Sequence, residues 1–135
     1  MTASIKYDGD LRCSAVHLQS GTVMETDAPT DNRGKGEKFS PTDTVCVALG
    51  TCMLTTMAIK ARDINIELKD STVDVTKHMA NDPRRIKQID VLLKFPAGLK
   101  LDDKEKSFLQ SVGDNCPVAK SIHPDVVLNT KYEYS

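Results

Sequence analysis

The chain of 135 residues contains no tryptophan, and aromatic residues make up only 4% of it. Hydrophobic residues reach 39%, which suffices for one core in a chain of this length, so we expect a single domain over residues 1–135 with an aliphatic, methionine-rich core. An excess of positive charge is also missing, because the formal net charge is −1 with both signs interspersed. The basic surface of a nucleic-acid-binding protein is therefore not expected, and no nucleic-acid partner is predicted.

The N-terminal residues 1–12 lack the apolar segment and cleavage site of a signal peptide, so the sequence indicates neither secretion nor membrane insertion. We therefore expect a cytoplasmic protein. The four cysteines show no C-x2-4-C spacing and the three histidines no H-x3-5-H spacing, which argues against a zinc site. The sequence predicts no metal and no cofactor, and it favours free thiols over a structural disulfide framework.

The clearest helix signal covers residues 40–62. Ser40 is a good N-cap, Pro41 suits the first helical position, and Asp43 completes an S-x-x-D pattern typical of a capping box. The segment that follows carries no charge before Lys60, so we expect a helix that is apolar on nearly every side and buried by other elements. Its charged ends and its interruption by threonines and a glycine argue against a membrane span, so it is interpreted as a central core helix bearing Cys52.

The remaining segments predict strands before this helix and a mixture of strands and helices after it. Residues 1–39 are expected to form a strand meander followed by a polar loop, and residues 63–135 to form a hairpin, two helices and a closing strand. The order is that of an α+β fold with antiparallel sheets around the cysteine-bearing helix, rather than βαβ repeats. The predicted strands are 4–7, 11–20, 22–26, 72–79, 86–95 and 126–134, and the predicted later helices are 102–112, ended by Gly113, and a short one that Asn115 or Cys116 caps.

The four thiols differ in their predicted chemistry. Cys52 lies inside a helix in apolar surroundings, which raise a thiol pKa, so it is expected to be inert unless a cation lies against it. Cys116 lies at a helix start, where free N–H groups lower a thiol pKa, so it is the more reactive thiol on local grounds. Cys13 and Cys46 are most simply core residues. A cysteine–histidine nucleophile pair with His17, His78 or His123 remains open at this point.

Two segments, Ser40-Pro41-Thr42-Asp43 leading to Ala48-Leu49-Gly50-Thr51-Cys52, and Asn115-Cys116-Pro117-Val118-Ala119-Lys120-Ser121-Ile122, together resemble the OsmC/Ohr superfamily of thiol-dependent hydroperoxide reductases. Residues 21–29 and 79–86 also resemble its OsmC-like branch. The resemblance implies an intertwined α+β homodimer in which each chain's six-stranded arrangement and central helices complete the partner's core. Two active sites would then lie at the dimer interface.

The resemblance further implies that Cys52 is the peroxidatic thiolate, which attacks an organic hydroperoxide and becomes a sulfenic acid. Cys116 would resolve this acid to a disulfide, which a dithiol, such as a lipoyl group on a partner protein, would then reduce. An apolar core helix would also provide the dry pocket that favours an alkyl hydroperoxide.

One position departs from the superfamily pattern, in which a glutamate after the helix-start proline orients a catalytic arginine from the N-terminal strands. Thr42 occupies that position here, and the acid is Asp43, one residue later. Arg12 matches the arginine best, with Arg33 as second choice. Because a shift of one residue turns a side chain by ~100° around a helix, Asp43 could serve as a cap alone.

Two other functions stay open at the level of sequence. One is an OsmC-like small-molecule-binding or stress-related dimer whose peroxidase activity is weak or lost, which the Thr42 departure favours. The other is a general disulfide exchanger or sulfur carrier, which a buried Cys52 disfavours. Formation of a Cys52–Cys116 crosslink with an alkyl hydroperoxide would distinguish the peroxidase from the binding module.

Overall fold

The computed structural model describes all residues from Met1 to Ser135, which divide into two compact units, Met1–Val45 and Cys46–Ser135. The boundary between the two units falls after Val45, the fifth residue of the long helix that begins at Pro41. The assignment of residues 1–135 to one domain stays a prediction.

The first unit contains a three-stranded antiparallel sheet in the order β1 (Ala3–Gly9), β2 (Arg12–His17) and β3 (Val23–Asp27). This confirms the strand meander, although β2 is shorter than predicted because residues 18–21 form the turn into β3. A short 3-10 helix, Thr30–Asn32, lies in the polar loop that leads to Ser40.

In the β1–β3 sheet, Ile5 pairs with Ala15 and Ala15 with Met24, which places these three side chains in one row. Ile5 and Met24 are both exposed. Tyr7, which is also exposed, lies two residues from Ile5 on the same face because side chains alternate along a strand. One face of this small sheet is therefore apolar and uncovered.

The long helix α1 covers Pro41–Asp63, as the N-terminal signals predict. The backbone N–H of Ser40 donates to the Asp43 carboxylate at 2.9 Å, and the N–H of Asp43 donates to the Ser40 hydroxyl at 3.0 Å. This reciprocal pair is the predicted capping box, and it satisfies donors that a helix start otherwise leaves free.

The second unit packs one stripe of α1 into its core. Leu49, Met53, Met57 and Ala61 recur at intervals of four residues and are fully or almost fully buried. The expectation that α1 is buried on nearly every side is wrong, because Thr51, Thr55 and Ile59 are exposed. By length and composition α1 could also cross a membrane, but a core helix meets the same criteria, and its buried stripe identifies it as one.

A second sheet of three strands covers this stripe, in the order β4 (Thr72–Ala80), β5 (Arg85–Lys94) and β6 (Val127–Glu133). The predicted β4–β5 hairpin is confirmed, and its inward residues Ile89, Val91 and Leu93 are fully buried. The closing strand β6 pairs with β5 in parallel, so the expectation of antiparallel sheets is wrong for this pair. Helices α2 and α3 lie between the two strands in the chain, and such a long connection lets β6 return in the same direction as β5. All six strands and the α+β class agree with the predicted fold.

Helix α2 runs over Asp103–Asp114 and begins with a complete capping box between Asp102 and Glu105. The prediction that Gly113 ends this helix is wrong, since the helix includes it. A Cβ atom at Gly113 would lie 2.8 Å from the Met57 sulfur and 2.9 Å from the Tyr132 hydroxyl. Gly113 is therefore explained by close packing, not by helix termination. A short helix α3, Pro117–Ser121, follows directly.

Candidate active site

Cys52 lies on α1 beside the buried stripe and is itself half-buried. Gly50 allows the sheet to approach this part of the helix, because a Cβ there would lie only 3.0 Å from Val73 and 3.1 Å from Val75. Thr56 follows one helical turn after Cys52, and its hydroxyl oxygen lies 3.9 Å from the Cys52 sulfur. The helix thus places a hydroxyl donor beside the thiol.

Cys116 is the N-cap of α3 and is completely buried. Its sulfur accepts a hydrogen bond from the backbone N–H of Ala119 at 3.4 Å, the geometry of an N-cap side chain. Its own N–H donates to the carbonyl of Gly113 at 3.2 Å, which fixes the turn between α2 and α3. Of the two cap residues predicted, Cys116 is the one used, and Pro117 occupies the first helical position.

The fold brings the side chains of Cys52 and Cys116 into contact, and both remain free thiols. Burial of Cys52 acts to raise its pKa. The backbone N–H of Val118 and the side chains of Cys116 and Thr56 hydrogen-bond its sulfur, and together they hold the pKa of Cys52 below its ordinary value. Cys52 is therefore the sulfur of the pair that ionises first.

Cys116 shows the opposite shift. Burial raises the pKa of Cys116, the N–H of Ala119 acts against this, and the neighbouring Cys52 sulfur raises it further. The local argument that Cys116 is the more acidic thiol is therefore wrong. The predicted N-terminal effect exists, but the completely buried environment outweighs it.

The donors at Cys52 also correct the expectation that a cation is needed to activate this residue. The hydrogen bonds that lower its pKa come from a backbone N–H, a thiol and a hydroxyl, all of which are neutral. Thr56 could have been found from its spacing of four residues from Cys52, which places both side chains on one helix face. The sequence gives no such signal for Val118, because its backbone N–H is the donor and every residue except proline has one.

A small cavity of about 240 Å³ lies next to the Cys116 turn. Close to it, the Tyr132 hydroxyl donates to the Asp114 carboxylate at 2.7 Å. Burial, and then this carboxylate, raise the pKa of Tyr132 strongly, so the phenol stays protonated and keeps donating. The cavity is lined by Met53, Asp114, Ala119, Leu128 and Thr130.

Arg12, the predicted catalytic arginine, lies in the first unit and forms a bidentate ion pair with Asp27. Its Nε lies 2.6 Å and its Nη2 2.8 Å from the two carboxylate oxygens. Asp27 is 2% exposed and also accepts the backbone N–H groups of Glu37 and Lys38 at 3.2 and 3.1 Å. These bonds, with the Arg12 guanidinium first among them, lower the pKa of Asp27 to about 2.

The register of the sheet explains this pair, since Arg12 and Asp27 stand directly opposite each other on β2 and β3. Sequence analysis missed Asp27 because its signal is a cross-strand register. Asp43 is a capping residue in the structure, and Arg33, the second choice for the arginine, follows the 3-10 helix in a left-handed conformation with φ of 66°. Whether Arg12 and Asp43 take part in catalysis stays a prediction.

The other candidate residues have different surroundings. Cys46 is buried in the core of the second unit, and Cys13 is half-buried on β2. His78 lies 2.6 Å from Asp90 on the outer face of the β4–β6 sheet, and this contact, followed by bonds from Gln88 and Asn129, lowers the pKa of Asp90 to about 2. His17 contacts Ser20 and His123 contacts Asp125. The contacts of the histidines thus favour no cysteine–histidine pair.

The family model described as OsmC-like protein matches residues 34–131, which include Cys52, Cys116, α1, β4, β5, α2, α3 and most of β6. This chain belongs to the OsmC-like protein family. The resemblance noted from the two cysteine segments is thereby confirmed. A comparison with functionally curated proteins gives no match.

Solved structures resemble this OsmC-like chain over almost its whole length. A Psychrobacter arcticus protein, provisionally named for osmotic stress induction and the detoxification response, is 47% identical, with a TM-score of 0.94 and coverage of 98% of this chain and 96% of its own.

More distant structures share the fold alone. The organic hydroperoxide resistance protein OsmC of Legionella pneumophila is 15% identical, with a TM-score of 0.72 over 100% of this chain and 97% of its own. An organic hydroperoxide resistance protein of Elizabethkingia anophelis, with thiocyanate bound, is 11% identical, with a TM-score of 0.77 over 100% of this chain and 97% of its own.

Proposed function

We propose that this OsmC-like protein is a thiol-dependent peroxidase that reduces organic hydroperoxides through Cys52 and Cys116. The observation that carries the proposal is the contact between the two sulfurs, in which the pKa of Cys52 is lowered and that of Cys116 is raised. A thiolate is the form of cysteine that attacks peroxides, and a neighbouring neutral thiol is suited to the next step.

The reaction proceeds in two steps. The Cys52 thiolate attacks the distal oxygen of the hydroperoxide, the O–O bond breaks, and the alcohol leaves after its oxygen takes up a proton. The Cys116 sulfur then attacks the sulfur of the Cys52 sulfenic acid, forming a disulfide and releasing water. A dithiol reductant, for which a lipoyl group on a partner protein is one candidate, returns both cysteines to thiols.

The surface of α1 beside Cys52 supports an organic substrate. A groove of about 340 Å³ runs along α1 from Thr51, the residue before Cys52, and most of its lining is apolar. An alkyl chain gains from burying its surface in such a groove, whereas hydrogen peroxide has no chain to bury. The groove is lined by Thr51, Leu54, Thr55, Ala58, Ile59 and Arg62.

We propose that Arg12 and Asp43 assist this chemistry, as the family resemblance implies. Arg12 has the fixed geometry that such a role requires, because Asp27 orients its guanidinium. Asp27 thus provides the carboxylate partner for the arginine in a chain where Thr42 replaces the usual glutamate. Asp43 contributes by holding the start of α1 through its capping bond.

We further propose that the protein acts as a homodimer in the cytoplasm. The uncovered apolar face of the β1–β3 sheet supports the dimer, because monomeric proteins rarely expose a contiguous apolar patch of this kind. The balanced charge of the chain gives no reason to expect a nucleic-acid partner, and no membrane partner is proposed.

Cysteine mapping tests the peroxidase. The reduced protein receives one equivalent of an alkyl hydroperoxide, free thiols are blocked, and peptides are analysed for a Cys52–Cys116 crosslink. We expect the crosslink in the wild type and in the control Cys13→Ser, no turnover in Cys52→Ser, and an over-oxidised Cys52 in Cys116→Ser. If both thiols stay alkylatable after peroxide treatment, the peroxidase is refuted.

A second candidate function is a small-molecule-binding or stress-related dimer with weak or lost peroxidase activity. The observation that favours it is the use of Asp43 as a helix cap together with Thr42 at the usual glutamate position. The same mapping experiment separates the two functions, since a binding protein would retain both thiols and bind the hydroperoxide or its alcohol unchanged.

A further inference from the structure

The two sulfurs of the candidate site differ in their access to an external molecule. Cys116 is 0% exposed and belongs to the cluster of buried core side chains, whereas Cys52 is half-buried and lies at the edge of that cluster. Binding of a second chain can only add cover, so Cys116 is enclosed in a dimer as well. In a Cys52–Cys116 disulfide, the Cys52 sulfur is therefore more accessible to an external reductant than the Cys116 sulfur.

The chemistry of disulfide reduction makes this difference decisive. An attacking thiolate approaches one sulfur from the side opposite the sulfur that leaves, and the rate depends on which sulfur is accessible. Attack on Cys116 needs a path through the cluster of buried core side chains to which Cys116 belongs. Attack on Cys52 needs a path only from the surface of α1.

We propose that the thiol reductant attacks the Cys52 sulfur of the Cys52–Cys116 disulfide, so that the transient mixed disulfide forms on Cys52 and Cys116 is the leaving group. This inference rests on the proposed function for the origin of the disulfide. The bond between the two protein sulfurs breaks, its electron pair leaves with the Cys116 sulfur, and that sulfur takes up a proton.

The second half of the exchange completes the electron balance. When the reductant is a dithiol, its second thiolate attacks the reductant sulfur bound to Cys52, and Cys52 leaves as a thiolate. The dithiol loses two electrons and becomes a disulfide, while both protein cysteines are reduced. Cys52 is the better leaving group of the pair, because the N–H of Val118 and the thiol of Cys116 stabilise its thiolate.

Leaving-group ability acts against this order in the first step, because the raised pKa of Cys116 makes it the poorer leaving group of the pair. The order therefore depends on the enclosure of Cys116, which denies an external thiol access to its sulfur. In the first step the departing Cys116 sulfur receives the N–H of Ala119, which is already in place at 3.4 Å. Since the pKa of Cys116 is raised, the released sulfur is soon protonated and returns slowly to attack the mixed disulfide. The mixed disulfide on Cys52 therefore persists long enough to meet the second thiol.

The experiment traps the mixed disulfide with 2-mercaptoethanol, a monothiol that has no second thiol to complete the exchange. The full chain with Cys13→Ser is oxidised by diamide, which forms disulfides without a hydroperoxide, and the Cys52–Cys116 bond is verified by peptide mapping. A brief exposure to the monothiol is stopped with acid, free thiols are blocked, and the position of the adduct is determined by mass spectrometry.

We expect the adduct on Cys52 to exceed that on Cys116 by at least ~10-fold, with Cys116 recovered as the blocked free thiol. An adduct mainly on Cys116, or equal amounts on both, would overturn the inference. So would failure of diamide to form the disulfide. Because diamide replaces the hydroperoxide, a protein that does not react with hydroperoxides would refute the proposed function while the site of thiol attack is still measured.

A pair of variants provides an independent measurement. In Cys116→Ser the 2-mercaptoethanol adduct is placed on Cys52, and in Cys52→Ser it is placed on Cys116 after brief unfolding and refolding. We expect dithiothreitol to release the Cys52 adduct at least ~10-fold faster, and equal rates in the two folded variants would contradict the inference. Equal release from both variants in urea serves as the control for intrinsic reactivity.

Discussion

The Cys116 thiol donates a hydrogen bond to the Cys52 sulfur, although the two residues belong to different helices. The N–H of Val118 and then this contact lower the pKa of Cys52, while burial and then the same contact raise that of Cys116, so the pair is divided into an ionising and a protonated partner. The position of each cysteine in the sequence predicts the opposite, namely that Cys116 ionises before Cys52. The order of ionisation therefore depends on how the two thiols are placed in the folded chain.

The hydroxyl of Thr56 is one of the donors that stabilise the Cys52 thiolate. Thr56→Val keeps the shape of the side chain but removes this donor, so the pKa of Cys52 should rise and its alkylation by iodoacetamide at pH 7 should slow. The measurement is the pH dependence of the alkylation rate. Thr55→Val, at an exposed position on the same helix, should leave the profile unchanged, and an equal shift in both variants would contradict the role of Thr56.

Cys116 should influence Cys52 in the same way. Cys116→Ala removes the thiol donor and should raise the pKa of Cys52, whereas Cys116→Ser retains a hydroxyl donor and should raise it less. The alkylation profile of Cys52 measures both. A lower pKa of Cys52 in Cys116→Ala than in the wild type would show that the neighbouring thiol does not stabilise the thiolate.

Asp27 should make the protein sensitive to acid. Its folded-state pKa is about 2, below the value of ~3.9 expected in the unfolded chain, so the stability that it contributes is present above pH ~4 and is lost as the pH falls toward 2. Asp27→Asn should lower the free energy of unfolding at pH 6 and flatten its decline between pH 4 and 2.

Urea unfolding at a series of pH values measures this decline. Asp90 has a similarly low pKa and contributes its own share, so Asp90→Asn should remove a separate part of the same decline. An Asp27→Asn variant whose stability follows the wild-type pH profile in parallel would show that Asp27 is not the acid-sensitive group.

Tyr132 anchors the end of α2 through its hydrogen bond to Asp114. Tyr132→Phe removes the hydroxyl and leaves Asp114 with one bond fewer, so we expect a loss of about 1–3 kcal/mol in the free energy of unfolding, measured with urea. Tyr7→Phe is the comparison variant and should change stability much less, because the Tyr7 hydroxyl is exposed and accepts only a long bond of 3.3 Å from the Leu11 N–H.

The apolar face of the β1–β3 sheet should control assembly. Ile5→Lys places a charge within this face and should shift the proposed dimer to a monomer in light-scattering measurements, because a buried charge without a partner is costly. Lys6→Glu reverses a charge on the opposite face of the same strand and should leave the dimer intact. Dimerisation of Ile5→Lys at wild-type strength would exclude this face as the interface.

Local patterns were sufficient for most of the secondary structure. The capping box at Ser40 and Asp43 located the start of α1 correctly, and alternation of Ile89, Val91 and Leu93 identified the buried face of β5. Local patterns failed at Gly113, which is explained by its contacts with Met57 and Tyr132. A glycine near a helix end looks the same in sequence whether it stops the helix or makes room for a neighbouring side chain.

By itself the sequence determined the α+β class, the helix that carries Cys52, and the helix start at which Cys116 lies, because caps, turns and hydrophobic periodicity act over a few neighbouring residues. Only the tertiary structure decided which thiol ionises and which carboxylate holds Arg12. Burial and hydrogen bonds set a thiol pKa, and strand register selects the partner of an arginine. Both depend on groups that lie far apart in the chain and meet only when it folds.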